Sequence, residues 1–110
     1  MVLHASVSDF AATDQLDPLL RLVSASRGTR GFADAWSHLL VARGSVEVAV
    51  ETLACYEWDW AATSVIVEEA GGSVSATDAI DPYPGCRLLV TNGLLDQQVR
   101  AVLDASPGPL

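Results

Sequence analysis

The stretch Trp58-Asp59-Trp60-Ala61-Ala62, running on through Val65-Ile66-Val67-Glu68-Glu69-Ala70-Gly71-Gly72, decides how the rest of the chain is read. A carboxylate stands where a helix starts, and a glycine pair stands where it stops. Asp59 is expected as an N-cap, because its side-chain oxygens can accept from the free N–H groups of a first turn. Ala61, Ala62, Val65 and Ile66 recur at helical spacing and are expected to form one apolar stripe. Gly71 supplies the left-handed residue that closes such a helix. On these grounds alone the stretch is a capped, buried helix of an α/β domain.

Composition sets the bounds. A chain of 110 residues suffices for one domain with a modest core. Half of it is hydrophobic and 18% is charged, which excludes a disordered chain. So apolar a small domain is expected to carry a face that packs against something else. The net charge of −8, from 6 basic and 14 acidic residues, argues against a nucleic-acid or anionic-membrane surface. The longest apolar runs are too short to span a bilayer. Met1-Val2-Leu3-His4 lacks the basic start of a signal peptide, and a cytoplasmic location is expected. Cys55 and Cys86 have no metal-type spacing and read as reduced thiols, with a disulfide left open.

Outward from the central stretch, strands and helices alternate. Residues 2–7 could form a short strand, and residues 14–24 read as a helix with Leu16, Leu19, Leu20 and Val23 on one face. The glycines of residues 27–32 break that helix and lead to a short strand. Asp34 is expected to cap a second helix, with Ala35, Leu39, Val41 and Ala42 as core candidates and Gly44 as its stop. Val46, Val48 and Val50 alternate as one face of a strand. Residues 73–75 and 88–90 read as strands, separated by loop chemistry over 77–85. A last helix over 94–103 turns Leu95, Val99, Val102 and Leu103 inward. This alternation predicts an α/β fold in a single layered domain over residues 1–110, with the weakest pattern at 1–13 and 105–110.

The wording of the central stretch is more specific than its periodicity. W-D-x-A-A followed by I-V-E-E-A-G-G resembles the second signature of the inositol monophosphatase family of metal-dependent phosphatases. Three further segments fall in the same order. Residues 29–44, Thr-Arg-Gly-Phe-Ala-Asp-Ala-Trp-Ser-His-Leu-Leu-Val-Ala-Arg-Gly, resemble the R-G-[FY]-G-D-x-W stretch and L-V-A-x-G helix of its histidinol-phosphatase branch. Val46-Glu47-Val48-Ala49-Val50-Glu51 resembles the strand that follows, and Val90-Thr91-Asn92-Gly93-Leu94-Leu95 the closing T-N-G-x-L. Four ordered matches weigh far more than any one of them.

The resemblance implies a mixed sheet with packing helices, like the C-terminal domain of these phosphatases. It implies Mg²⁺ as cofactor and Asp59 as a metal ligand, a role suited to a hard cation. It implies contacts to substrate and phosphate from Ala33, Asp34 and Ala35, although Asp34 is equally read as a plain N-cap. Glu51 matches a glutamate that accepts from a substrate hydroxyl; an exposed strand-end carboxylate is the competing reading. Glu47 reads as solvent-facing, and Glu68 and Glu69 as structural. His38 reads as a packing or surface residue, and Trp36, Trp58 and Trp60 as core or interface residues.

The chain also departs from the family. Ala33 replaces a glycine, and Glu51 stands one residue farther from Asp59 than in many relatives. The upstream D-P-[IL]-D-G-T motif has no counterpart: the D-P pairs Asp17-Pro18 and Asp81-Pro82 do not continue that way. One carboxylate cannot hold a hard-cation cluster. The expectation is therefore the C-terminal half of a phosphate monoester hydrolase, of histidinol-phosphate or inositol-phosphate type, inactive without an N-terminal half. A non-catalytic dimerisation or regulatory domain that keeps the fold is the alternative. The expected partners are a small phosphorylated metabolite and either a second copy of the chain or an N-terminal phosphatase half.

Overall fold

The computed structural model describes residues 1–31 and 34–105, with the backbone alone at positions 34 and 53–55. Among the described residues, five strands form one sheet: β1 (Val2–His4), β2 (Thr29–Arg30), β3 (Val48–Cys55), β4 (Ser73–Ala76) and β5 (Cys86–Thr91). Their order across the sheet is β2-β1-β3-β5-β4. The sheet is mixed: β1 runs parallel to β2 and β3, while β5 runs antiparallel to β3 and β4. The helices are α1 (Val7–Ala12), α2 (Leu16–Ala25), α3 (Asp34–Arg43), α4 (Glu57–Glu69) and α5 (Asp96–Leu103).

Strand side chains alternate between faces, and this sorts the core into two halves. Leu3, Ala49, Leu88 and Val90 pack with Val41 of α3 and with Trp60 and Val67 of α4. Val2, Val48, Val50 and Leu89 pack on the other side with Phe10, Leu19, Leu22, Val99 and Leu103, from α1, α2 and α5. Both faces are covered, which is why the middle strands are apolar at successive positions. Arg21 fastens α2 to the end of α5, its Nε donating to Val102 O at 3.1 Å and its Nη2 to Leu103 O at 2.8 Å. Such donors satisfy carbonyls that a helix end leaves open.

Helix and strand types follow the sequence expectation, but several faces do not. The stripe Ala61, Ala62, Val65 and Ile66 is exposed, and α4 buries Trp60, Thr63 and Val67 instead. Trp60 packs into the sheet-facing core with Val67, while Trp58, of equal size, is left exposed. In α3, Ala35 and Leu39 are exposed, while Ser37 and His38 are fully buried beside Val41. Val48 and Val50 share a face of β3, whereas Val46 precedes the strand and packs on the opposite side. Residues 7–12 form a helix that the mixed pattern of residues 1–13 conceals.

Gly71 and Gly93 adopt φ of +92° and +83°, as expected of residues that end a helix and turn a chain. The two motif ends also meet in space. A Cβ on Gly72 would lie 2.6 Å from Thr91 O, and one on Gly93 would lie 2.7 Å from Gly71 O. Asn92 Oδ1 accepts from the N–H groups of Leu94 and Leu95 at 3.0 and 3.2 Å, so it opens the turn into α5. The T-N-G segment and the glycine pair are thus packing devices that hold α4, β5 and α5 in register.

Candidate functional site

Asp59 is the third residue of α4, not its N-cap. Tyr56 precedes the helix, and its N–H donates to Asp59 Oδ2 at 2.8 Å. The Asp59 N–H donates back to Tyr56 O at 2.8 Å. The carboxylate thus satisfies a donor just outside the helix rather than one inside it, which is the acidic half of a capping box. Asp59 remains exposed, at the end of α4 where the helix dipole is positive. The Tyr56 and Trp58 rings stack beside it with centroids 4.9 Å apart.

Glu51 is the opposite case. It is buried at 6% exposure, not an exposed strand-end carboxylate. It lies opposite Leu88 of β5 and faces the layer of α3 and α4. The pairing then shifts register, so that residues 52–54 oppose only Arg87 before Cys55 meets Cys86. This irregularity follows Glu51, which keeps its place on the face of α3 and α4.

His38 completes the arrangement, although the sequence pattern marks it only as a packing or surface residue. Its ring is fully buried, with Nε2 3.2 Å from Glu51 Oε2 and Nδ1 2.8 Å from Thr63 Oγ1. An ionised Glu51 can only accept, so Nε2 then carries a proton, and in a neutral ring Nδ1 accepts from Thr63. The available signal was the face of α3: Ser37 and His38 stand beside Val41 at helical spacing, opposite the exposed Leu39.

Of the other expected contacts, Ala33 and the Asp34 side chain lie outside the described residues. Ala35 is exposed in the first turn of α3. Glu47 is half-exposed and pairs with the Met1 amino group, which holds its carboxyl below the usual range. Trp60 is core, whereas Trp36 and Trp58 are exposed. Cys86 is a free, buried thiol whose pKa burial pushes up. Among the described residues, no group of three or more His, Cys, Asp and Glu side chains could hold a metal ion. Asp59 fits as a single oxygen ligand, and the described residues do not by themselves fit a Mg²⁺ site.

The same arrangement of mixed sheet and helix layers occurs in solved inositol monophosphatases. An inositol monophosphatase structure from Anabaena superimposes with a TM-score of 0.80 at 27% identity, covering 96% of this chain and 43% of that one. One from Zymomonas mobilis shares the fold at a TM-score of 0.83 and 18% identity, over 94% of this chain and 42% of that one. The family model described as inositol monophosphatase family matches residues 2–106, and the chain belongs to that family. It is similar to the histidinol-phosphatases of Mycobacterium tuberculosis (33% identical over 101 residues) and Streptomyces coelicolor (32% over 102). Each match takes in 92% of this chain, which spans 38% of the length of either relative. No helix among the described residues is long and apolar enough to cross a membrane.

Proposed function

We propose that this chain is the C-terminal domain of a Mg²⁺-dependent phosphate monoester hydrolase and acts once an N-terminal half completes the site. Histidinol phosphate is the favoured substrate, ahead of an inositol phosphate. The observation that carries this reading is the match to two histidinol-phosphatases over 92% of the chain, and the W-D signature at Trp58-Asp59 of this sequence supports it. In this reading Asp59 supplies one carboxylate ligand, and bound Mg²⁺ provides charge neutralisation and an acidified water. The residues of this chain bind and orient. The start of α4 presents its positive end to the phosphate, Ala33, Asp34 and Ala35 contact the substrate, and Glu51 accepts from a substrate hydroxyl. A cytoplasmic location accords with this reading.

The test is reconstitution. The chain is co-expressed with the part of the Mycobacterium tuberculosis histidinol-phosphatase that the match leaves uncovered. The expected result is Mg²⁺-dependent release of phosphate from histidinol phosphate by the pair, abolished by Asp59→Ala. A stable pair without turnover overturns the reading. That outcome would favour a non-catalytic dimerisation or regulatory domain, a reading supported by the lack of a metal-binding group among the described residues.

A further inference from the structure

The three candidate site elements are joined by one side chain. His38 lies one turn after Asp34 on α3, bonds Glu51 on β3, and bonds Thr63, which lies one turn after Asp59 on α4. We propose that His38 is a positioning residue, fixing the Glu51 carboxylate and clamping α3, β3 and α4 beneath the site. The proposal rests on the functional reading above and extends it to a residue that touches neither metal nor substrate.

The physical case is one of satisfaction and burial. Glu51 and His38 are 6% and 0% exposed, so the bond between them is largely shielded from water. A buried hydrogen bond between polar side chains is costly to lose, so the His38–Glu51 bond restrains both groups. Thr63 Oγ1 lies 3.3 Å from Trp60 O within its own helix and 2.8 Å from the ring, so the shorter contact is the one between helices. A plain packing role would be served by Leu or Met of similar volume. The two ring nitrogens are instead both spent on side chains of different elements.

Two replacements separate the ends of the ring. His38→Gln keeps a donor near the Nε2 position for Glu51 and gives up Thr63. His38→Asn keeps a partner for Thr63 and gives up Glu51. In the isolated chain, NMR side-chain couplings are expected to show a single Glu51 rotamer in the parent and in His38→Gln. Rotamer averaging is expected in His38→Asn, with backbone amide spectra unchanged. A single Glu51 rotamer in His38→Asn overturns the proposal. Should His38→Asn not fold, Glu51→Gln on the intact ring replaces it, and a His38 ring N–H signal that Glu51→Gln leaves unmoved overturns the proposal.

In the reconstituted pair, His38→Asn is expected to raise KM for histidinol phosphate roughly tenfold or more, the usual scale of losing one charged hydrogen bond, with kcat changed less. His38→Gln should recover most of that loss. Equal loss in both variants overturns the positioning role and leaves the phosphatase reading standing. A parent pair without turnover overturns the phosphatase reading, and the rotamer comparison still decides whether His38 holds Glu51.

Discussion

The Tyr56 N–H donates to Asp59 Oδ2 at 2.8 Å, so the carboxylate of the W-D signature is fastened to the chain before its own helix. One oxygen has a structural partner, and the side chain as a whole stays exposed. Structure and metal ligation are therefore compatible at this residue, and substitutions can separate them.

Asp59→Ala removes the acceptor for Tyr56 and is expected to lower stability by about 0.5–1.5 kcal/mol, the net scale of one hydrogen bond, while Asn retains most of it. Urea unfolding of the three chains measures this directly. In the reconstituted pair, Asp59→Asn is expected to keep the fold and lose turnover, because an amide is a poor ligand for a hard cation. Equal phosphate release at limiting Mg²⁺ would leave Asp59 with a capping role only.

The chain alone is expected to bind Mg²⁺ weakly and hydrolyse no phosphate monoester, because hard cations need several oxygen ligands each. Calorimetric titration with Mg²⁺ and a phosphate-release assay on the purified chain are the measurements. Turnover lost on Asp59→Ala would show that an N-terminal half is dispensable.

The outer sides of α3 and α4 leave Trp36, Leu39, Trp58, Val65 and Ile66 exposed, between 41% and 78%. A helix with apolar residues on both sides usually packs on both sides. Self-association, or binding to the N-terminal half, is expected to be weakened by Val65→Glu with Ile66→Glu, as read by sedimentation. A clean monomer at high concentration that binds no hydrophobic dye would count against this.

Gly93 and Gly85 both have positive φ, but a Cβ on Gly85 meets nothing within 4 Å, whereas one on Gly93 meets Gly71 O at 2.7 Å. Ala at either site carries a left-handed penalty of about 1–2 kcal/mol. Gly93→Ala should be worse by roughly a further 1–3 kcal/mol of overpacking. Thermal unfolding of the two variants checks the order, and equal losses would mean that the contact between the Gly pair and T-N-G relaxes without cost.

Burial raises the Cys86 thiol pKa in the folded chain. The stability linked to this group is therefore complete below the unfolded thiol's value. It is lost progressively as pH rises from that value toward the folded one. Cys86→Ala is expected to flatten the alkaline end of the stability profile, and Cys86 should resist iodoacetamide until the chain unfolds. Rapid alkylation of Cys86 at neutral pH in the native state would contradict this.

The sequence by itself determined the kinds and order of most elements, because helix stops, strand alternation and turn chemistry are local properties. Gly71 ends α4, the 88–90 run is the buried middle of β5, and Asn92-Gly93 turns the chain into α5. Sequence also carried the family signature, since four short motifs kept their order. Tertiary structure decided which faces are inside. The alanine-rich side of α4 and the buried side carrying Trp60 both satisfy helical periodicity, and only the sheet beneath selects between them. It also decided the role of His38. Its partners Glu51 and Thr63 are 13 and 25 residues away in the chain, and no spacing rule joins residues that meet only when three elements pack.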